Sequence, residues 1–454
     1  MPNNGYPTSL DERTASKFSK SPENESRPFI PHARAVEEVE TTLPVKVPVG
    51  RPVAMPVRVL YDDPVEPAAH NRVRKVRRTG TGYLPFRYDV AGLVSVGSEI
   101  GLPELECFRE PTLGRNLDIE VRVGKVGPQS PRGRAQMLRF SSPDGVRYEE
   151  HLGRLGANFA IDFEPRISVT ISRLLAKSPH VAYTNVIEAL LRFAIAARGG
   201  MLLHSACVQL NGKGVLLSAR TDTGKTGTVL RLLRDHKATF LSDDMTVVFS
   251  DGTARSFPKP MTISSHTLRA VDPGDLSRVE WWALALQSRL HSKGGRGIGL
   301  LLGEHNLPVM TANAVTQMLV PPPKYAADRL VAAESQRETS ISEIFIIERG
   351  APSVAEVDAT SALQELLANT EDAYGFPPFR YLAPELNIGG YELKDLRLKE
   401  EDVLNGILRS VRVRRLSSDS FGWADEIPSL VGERSGRVVP RSGSHRRCPA
   451  GVSR

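Results

Sequence analysis

A stretch near the middle of the chain has the residue types and spacing of a phosphate-binding loop. An apolar run, 215–217, leads into a polar loop that ends in Gly224-Lys225-Thr226, and a helix-like segment, 228–233, follows. In the strand–loop–helix pattern G-x-x-x-x-G-K-[ST], the N–H groups of the loop and of the first helical turn attract an anion. Lys225 would reach the terminal phosphates of a nucleotide, and the Thr226 hydroxyl would bind Mg²⁺.

Two positions of the loop depart from that pattern. Ala219 stands where the pattern has its first glycine, and we expect it to reshape the turn because alanine tolerates a positive φ poorly. Asp222 adds a negative charge to a loop meant for phosphates. The alternative is an ordinary strand–turn–helix with a chance Gly-Lys-Thr. The nucleotide interpretation assigns cofactor binding to Ala219, Arg220, Thr221, Asp222, Thr223, Gly224, Lys225, Thr226 and Gly227.

Acidic and imidazole side chains occur on either side of this loop. Asp243 and Asp244 end a short apolar strand, 238–242, where carboxylates can act on Mg²⁺ or on an attacking hydroxyl. Because neighbouring side chains of a strand point to opposite faces, we expect one aspartate to face the phosphates and the other the packing behind. His204 lies in an apolar strand just upstream of the loop. The alternatives are a turn that starts with two aspartates and a core histidine.

Taken together, these segments resemble a known family. The family is HPr kinase/phosphorylase with its wider group of PEP carboxykinase-like P-loop proteins, and here its P-loop is degenerate at Ala219 and Asp222, where the family has glycines. The resemblance covers roughly residues 83–370 in pattern, but only about 201–260 by motif. The segments that carry it are His204-Ser205-Ala206, the turn Asn211-Gly212-Lys213-Gly214, the loop, and Leu241-Ser242-Asp243-Asp244.

The resemblance implies a fold, two cofactors and a set of roles. The fold is α/β, with a mixed-sheet P-loop nucleotide domain preceded by a β-rich domain. The cofactors are ATP, held by Lys225 and the loop, and Mg²⁺, held by Thr226 and Asp244. Asp243 would be the base for an attacking hydroxyl, and Lys225 and His204 would complete the catalytic set.

The implied function is an ATP-dependent kinase that transfers phosphate to a hydroxyl, on a protein serine or on a small molecule. The alternative is a catalytically inactive nucleotide-binding protein with a regulatory or scaffold role, which the departures at Ala219 and Asp222 favour. Nucleotide binding with and without turnover separates the two.

Composition divides the 454 residues into four parts. Residues 1–78 are rich in proline and basic residues and are predicted to be a disordered arm. Strand-like alternation predicts a β-rich domain over 79–198 that ends in a helix. The nucleotide domain is expected over 199–410 with an insert at about 275–335, and a disordered basic tail is expected over 411–454.

Charge and cysteine content limit the expected partners and compartment. The net charge of +7 comes from basic residues that we assign to the two flanks, without the aromatic–basic interleaving of single-strand binders. We therefore expect no nucleic-acid partner. The chain contains no apolar run of about 18 residues, which is the length that would predict a membrane span. Its three scattered cysteines fit a reducing compartment. A cytoplasmic location is expected, and homo-oligomer formation is left open.

Overall fold

A computed structural model of the chain describes residues 77–78 and 83–432, with gaps at 115, 128–132, 141–144, 264–304 apart from Thr267 and Trp282, 321, 323 and 376. The described chain is a mixed α/β structure with two large sheets. The predicted arm at 1–76, the insert at 275–304 apart from Trp282, and the tail from 433 onward lie outside the described residues.

An eight-stranded sheet comes first along the chain. Its strands are β1 (Arg77–Arg78), β2 (Phe86–Val90), β3 (Val94–Ser98), β4 (Ile119–Lys125), β5 (Gln136–Arg139), β6 (Gly145–Glu149), β7 (Phe159–Asp162) and β8 (Ile167–Ile171). Their order is β2-β3-β4-β8-β7-β6-β5, and β1 pairs with β4. The neighbours β3, β4 and β8 run parallel and the other pairs antiparallel, so the sheet is mixed.

A buried helix connects this sheet to the second one. Two short helices, α1 (Arg173–Ala176) and α2 (Pro179–Ala182), lead through a π-helical turn, Tyr183–Ile187, into α3 (Glu188–Ala197). Nearly every residue of α3 is buried, as expected for a helix that is covered on all sides. The helix packs on β3 of the first sheet and on the first strand of the second sheet, 200–203.

In the described residues, the second large sheet has nine strands, and two separate two-stranded sheets accompany it. The strands are β9 (Gly200–Leu203), β10 (Ser205–Leu210), β11 (Lys213–Ser218), β12 (Thr239–Ser242), β13 (Thr246–Phe249), β14 (Thr253–Arg255), β15 (Met261–Thr262), β16 (Lys324–Tyr325), β17 (Glu338–Arg349), β18 (Ser353–Glu356), β19 (Asn387–Ile388), β20 (Tyr391–Glu392) and β21 (Arg412–Ser418). The sheet order is β12-β10-β11-β17-β14-β13-β9, and β21 lies between β17 and β18. The pairs β15–β16 and β19–β20 form the two-stranded sheets, and of these β19–β20 is a hairpin.

Seven further helices lie in the part of the chain that the structure describes. They are α4 (Lys225–His236), α5 (Val309–Leu319), α6 (Ala327–Leu330), α7 (Ala359–Ala373), α8 (Phe379–Leu382), α9 (Leu393–Leu408) and α10 (Trp423–Gly432). α4 and α10 cover one face of the second sheet, and α7 and α9 cover the other. In the described part of the chain, no helix is both long and apolar enough to cross a bilayer.

Both faces of β11 are therefore buried. Val215 and Leu217 point into the core beneath α4, whereas Leu216 points into the core beneath α7 and α9. This is the period-two pattern of a strand that is covered on both sides, which explains its continuous apolar run.

The strand directions bring several chain ends to one edge of the sheet. β11, β17 and β21 run parallel. β12 is antiparallel to β10, which is antiparallel to β11, so β12 runs in the same direction as β11. The carboxyl ends of β11, β12, β17 and β21 therefore share an edge with the start of β10. The segments that leave this edge are the ones that carry the candidate site.

The predicted boundary of the basic tail at 411 is wrong. Residues 412–418 are the strand β21, and residues 423–432 are the helix α10. The arginines within 412–418, which contributed to the predicted tail, lie along β21 and have acidic neighbours: Arg414 lies 4.0 Å from Glu343, and Arg415 pairs with Glu365. Arginine content alone could not reveal this, because the partners lie about 50 residues or more away in sequence.

The predicted arm needs correction at its described end, and the described part of the insert contacts the main structure. Arg77 and Arg78 form β1 on β4 and do not belong to a disordered arm. The Thr311 hydroxyl of α5 donates a hydrogen bond to Glu150 at 2.8 Å. The backbone N–H of Phe240, in β12, donates to the backbone carbonyl of Glu334.

We predict that Trp423→Ala destabilises the protein by about 3–5 kcal/mol, because it removes a large, fully buried side chain and leaves a cavity. Chemical-denaturant unfolding measures the difference. Trp282→Ala serves as the control, since the Trp282 side chain is 76% exposed, and it should change stability by less than about 0.5 kcal/mol. Equal effects of the two changes would show that α10 does not pack on the sheet.

Candidate functional site

The loop lies between β11 and α4, in the expected order of strand, loop and helix. α4 begins at Lys225, and Gly224 precedes it with a φ of 132°. A Cβ atom on Gly224 would lie 2.8 Å from the Phe421 ring and 3.0 Å from Trp423. Glycine is required at this position for both its backbone conformation and the close approach of the two aromatic rings.

Besides Gly224, the loop has a positive φ at Asp222 and not at Ala219. Asp222 has a φ of 64°, and aspartate is one of the few side chains that tolerate this region. Ala219 is buried in the core beneath α4 and does not have a positive φ. Ala219 follows directly after the end of β11 at Ser218, and the positive φ angles of the loop fall at Asp222 and Gly224 instead.

The remaining loop positions are held by local contacts. The Thr223 hydroxyl donates a hydrogen bond to the Arg220 carbonyl at 2.8 Å, and the Arg220 side chain is exposed. Arg349 donates from Nε to the Thr223 carbonyl at 2.8 Å. Gly227 lies in the first turn of α4.

Lys225 is a buried ammonium without a hydrogen-bond partner in the described chain. Its residue is 8% exposed, and the nearest carboxylate oxygen, Asp244 Oδ1, lies 3.9 Å from Nζ. Burial lowers the pKa of Lys225, and the charges of Asp244 and Asp243 offset only part of this effect. A buried charge of this kind is costly unless it is paired, so an anion at the loop would satisfy it.

Asp243 faces the first turn of α4. Its Oδ2 accepts a hydrogen bond from the Thr226 hydroxyl at 2.8 Å, whereas its Oδ1 is buried and has no partner in the described chain. The residue is 2% exposed. Burial, together with the negative charge of Asp244, raises the pKa of Asp243 to about 6. A carboxylate with such a pKa can accept a proton near neutral pH.

Asp244 lies among three cationic or basic side chains. Its Oδ2 is 2.7 Å from Lys259 Nζ. Its Oδ1 is 3.3 Å from His204 Nε2 and 3.9 Å from Lys225 Nζ. Its side chain is 44% exposed. Desolvation by the surrounding protein raises the pKa of Asp244, but Lys259 and His204 outweigh it and hold the pKa well below its ordinary value.

Both aspartates therefore contact the loop and α4, and the expectation that one of them faces the packing behind is wrong. The alternation of a strand applies only up to Ser242, where β12 ends, and the chain bends at Asp243 and Asp244. The two carboxylates differ in environment instead. Asp243 is buried beside the Thr226 hydroxyl, and Asp244 is partly exposed and paired with cations.

His204 is held by the carboxyl-terminal part of α7. Its Nδ1 lies 2.7 Å from the Asn369 carbonyl, which can only accept, so Nδ1 carries the proton. Nε2 is thereby directed at Asp244. This orientation makes His204 part of the site and not merely a core histidine, because its second nitrogen faces the Asp pair.

Lys259 belongs to the site but was not among the predicted site residues. Its Nζ bridges Asp244 Oδ2 at 2.7 Å and Glu188 Oε2 at 2.8 Å. Desolvation lowers the pKa of Lys259, but Asp244 and Glu188 outweigh this effect and raise it above the ordinary value. The only sequence signal is a lysine between two prolines after a hairpin, and Glu188 lies 71 residues away on α3.

Asp372, at the carboxyl end of α7, was also missed. Its Oδ2 accepts hydrogen bonds from the Thr221 N–H at 3.0 Å and the Thr221 hydroxyl at 2.8 Å. The carboxylate thus holds an N–H group of the loop that a bound anion could otherwise use. No local pattern marks Asp372, since the contact joins residues 151 positions apart.

No group of three or more His, Cys, Asp or Glu residues in the described chain is arranged to hold a metal ion. Mg²⁺ does not require such a group, because it is usually bound by one or two carboxylates together with waters and substrate phosphates. Side-chain oxygen atoms that could take part lie beside Lys225 on Thr226, Asp243 and Asp244.

The comparisons with known proteins show a weak likeness to solved structures. No protein-family model matches the chain, and no curated protein matches it in sequence. Among solved structures the chain is similar to the Hpr(Ser) kinase/phosphatase from Coxiella burnetii, with a TM-score of 0.20 and 8% identity. The match covers 51% of this chain and 93% of that chain. A TM-score of this size does not establish that the two chains share a fold.

We predict opposite pH dependences of stability for the two aspartates. The pKa of Asp243 is raised to about 6 in the folded protein, above the roughly 3.9 of an unfolded aspartate. The folded state therefore binds this proton more tightly, and the free energy of unfolding falls as the pH rises from about 4 to about 6. Asp243→Asn should remove this fall and stabilise the protein at pH 8 by about 1–3 kcal/mol.

Asp244→Asn is the matched control. The folded-state pKa of Asp244 is depressed, so its charge contributes stability above pH ~4 that is lost as the pH falls. This variant should be less stable than the parent protein at pH 8. Denaturant unfolding of the three proteins between pH 4 and pH 8 makes the comparison. A loss of stability at pH 8 in both variants would contradict the strained burial of Asp243.

We predict that Asp372→Asn tightens ATP binding several-fold. The amide oxygen can still accept from Thr221, but the negative charge beside the loop is gone, which corresponds to about 1 kcal/mol at a partly exposed position. Asp402→Asn is the control, because Asp402 lies near Ala359, at the other end of α7 and ~20 Å away. Calorimetric titration measures both. Weaker binding by Asp372→Asn would mean that the carboxylate is itself part of the nucleotide site.

Proposed function

We propose that the protein is an ATP-dependent kinase that transfers a phosphoryl group to a hydroxyl, on a protein serine or on a small molecule. One observation carries the proposal. The buried ammonium of Lys225, which has no hydrogen-bond partner in the described chain, lies at the start of a 12-residue helix, beside a pair of aspartates in different environments. Phosphoryl transfer needs both features: positive charge for the phosphates and a positioned base for the acceptor.

The loop and α4 would bind the phosphates. The free N–H groups of the first turn of α4 and the helix dipole favour an anion at this end. Lys225 would then gain the hydrogen-bond acceptor that it lacks in the described chain. Because its Nζ is buried, the attraction to phosphate oxygens is stronger than it would be in water.

Asp243 would be the base. Its pKa of about 6 leaves it ionised at pH 7 but still able to accept a proton. Its Oδ2 is occupied by the Thr226 hydroxyl, so the free Oδ1 is the atom that would take the proton of the attacking hydroxyl. A well-placed base of this kind contributes about 10²–10⁴ in rate.

The residues present fit Mg²⁺ in chemical type. Thr226 would offer its hydroxyl and Asp244 a carboxylate oxygen, and Asp244 would share its charge between the ion and Lys259. When bound, the ion would neutralise charge on the β- and γ-phosphates. Lys259 and His204 would hold the Asp244 carboxylate in place, each through one of its oxygens.

A second candidate function rests on Asp372. Its carboxylate accepts from both polar groups of Thr221, and Asp222 adds another negative charge to the loop. Such a loop would bind nucleotide weakly, which suits a regulatory or scaffold protein that senses nucleotide without turnover.

The test is to separate binding from turnover. Lys225→Ala should weaken ATP binding roughly 10- to 100-fold, since a hydrogen bond to a charged group contributes about 1.5–3 kcal/mol. Asp243→Asn should leave ATP binding within a few-fold of the parent protein and abolish most ADP release in the presence of hydroxyl acceptors. The exposed Lys394, on α9, provides the control Lys394→Ala.

The outcomes distinguish the candidates. Binding with turnover that requires Asp243 supports the kinase. Binding that requires Lys225, without ADP release for any acceptor, supports the regulatory protein. Equal ATP affinity in Lys225→Ala and the parent protein would contradict both.

A further inference from the structure

An arginine stacked on an aromatic ring lies on one side of the loop, away from the Asp pair. In the sheet, β12 lies on one side of β11, and β17 and β21 lie on the other. The Asp pair follows β12, whereas Arg349 ends β17 and Phe421 follows β21. Ligands of such sheets bind outside the carboxyl ends of the parallel strands. A nucleotide whose terminal phosphate meets the Asp pair therefore has its other end towards Arg349 and Phe421.

The stack is rigidly built. The Arg349 guanidinium carbon lies 3.2 Å from the centre of the Phe421 ring. Phe421 in turn meets Trp423 edge-on, with ring centres 5.6 Å apart and an interplanar angle of 81°. Trp423 is fully buried and donates its indole N–H to the Leu416 carbonyl at 3.1 Å. One face of the guanidinium is thus covered by a fixed ring, while the Arg349 side chain remains exposed.

Arg349 is also fixed to the loop. Its Nε donates to the Thr223 carbonyl at 2.8 Å, so it contacts the loop on a carbonyl group and not among the N–H groups that attract phosphate. In the described chain Arg349 has no ion-pair partner. Its charge is therefore available to a ligand, and its orientation is set before any ligand binds.

The backbone that presents the ring is strained. Phe421 has a φ of 61°, a conformation that bulky residues rarely adopt. The Ser418 hydroxyl stabilises this turn by accepting hydrogen bonds from the N–H groups of Ser420 at 3.3 Å and Gly422 at 3.0 Å. Gly224 has no side chain and so leaves room for the ring. Strain of this kind, maintained by specific contacts, is typical of functional positions.

We propose that the outer face of the Arg349 guanidinium, backed by Phe421, is the surface on which the base of the bound nucleotide stacks. This inference rests on the proposed nucleotide-binding function. A planar guanidinium stacks on flat π-systems, as lysine cannot. Stacking accepts any base, because every base has a π-face. The site therefore distinguishes nucleotides from inorganic polyphosphates, and distinguishes adenine from guanine only weakly.

Arg349→Lys tests this, since it keeps the positive charge and removes the flat surface. The Kd values of ATP, GTP and inorganic tripolyphosphate are measured by titration for the parent protein and the variant. Binding of ATP and of GTP should weaken roughly 10-fold each, and binding of tripolyphosphate should not change. Phe421→Gly, which is compatible with the positive φ, should show the same pattern. Arg109→Lys is the matched control, because Arg109 lies 4.9 Å over the Phe86 ring in the first sheet.

Each other outcome has a separate meaning. Equal weakening of ATP and tripolyphosphate would overturn the proposal, since Arg349 would then contact phosphate. Unchanged ATP binding in both variants would also overturn it. A parent protein that binds tripolyphosphate as tightly as ATP would show that the base makes no contact at all. A parent protein that binds none of the three ligands would refute the nucleotide-binding function itself, and the base surface with it.

Discussion

The ion contacts of Asp244 determine how the segments of the site are arranged. One carboxylate meets Lys259, His204 and Lys225, so four separate segments of the chain, including that of Asp244 itself, come together. Charges taken out of water are costly unless their partners are placed well, and the loss of one partner leaves an uncompensated charge. The end of β12, the start of β10, the loop after β14 and the start of α4 must therefore meet in one arrangement. Asp243 has fewer partners, and burial together with the charge of Asp244 raises its pKa.

The first sheet takes part in this arrangement through α3. Glu188, at the start of that helix, holds Lys259 from the side opposite Asp244. Further along α3, Arg192 is fully buried and pairs with Glu400 of α9 at 2.7 Å and with Glu371 of α7 at 2.6 Å. Glu371 adjoins Asp372, which contacts the loop. The β-rich part of the chain is thus joined to the loop by two polar connections, and one hydrophobic core extends across both sheets.

Sequence patterns predicted the local elements well and the distant contacts poorly. The alternation around Ser250-Asp251-Gly252 predicts a hairpin, and β13 and β14 form it. The order of strand, loop and helix around Lys225 was also predictable, because it depends on neighbouring residues. Lys259 and Asp372 were missed since their contacts depend on tertiary structure, and β21 was taken for a tail because its arginines hid an apolar alternation. The assigned roles in catalysis remain predictions.

The position of β21 in the sheet has a consequence for how the chain folds. β17 pairs with β11 on one side and with β21 on the other, and β21 comes more than 60 residues later in the chain. Until β21 has been synthesised, one edge of β17 therefore has unpaired backbone N–H and C=O groups, which can pair with another chain. Parallel pairings across such distances also form slowly. Newly made chains that end before residue 412 should depend on chaperones. The aromatic rings of Phe421 and Trp423 reach the loop only after the strand at 412–418 has been inserted.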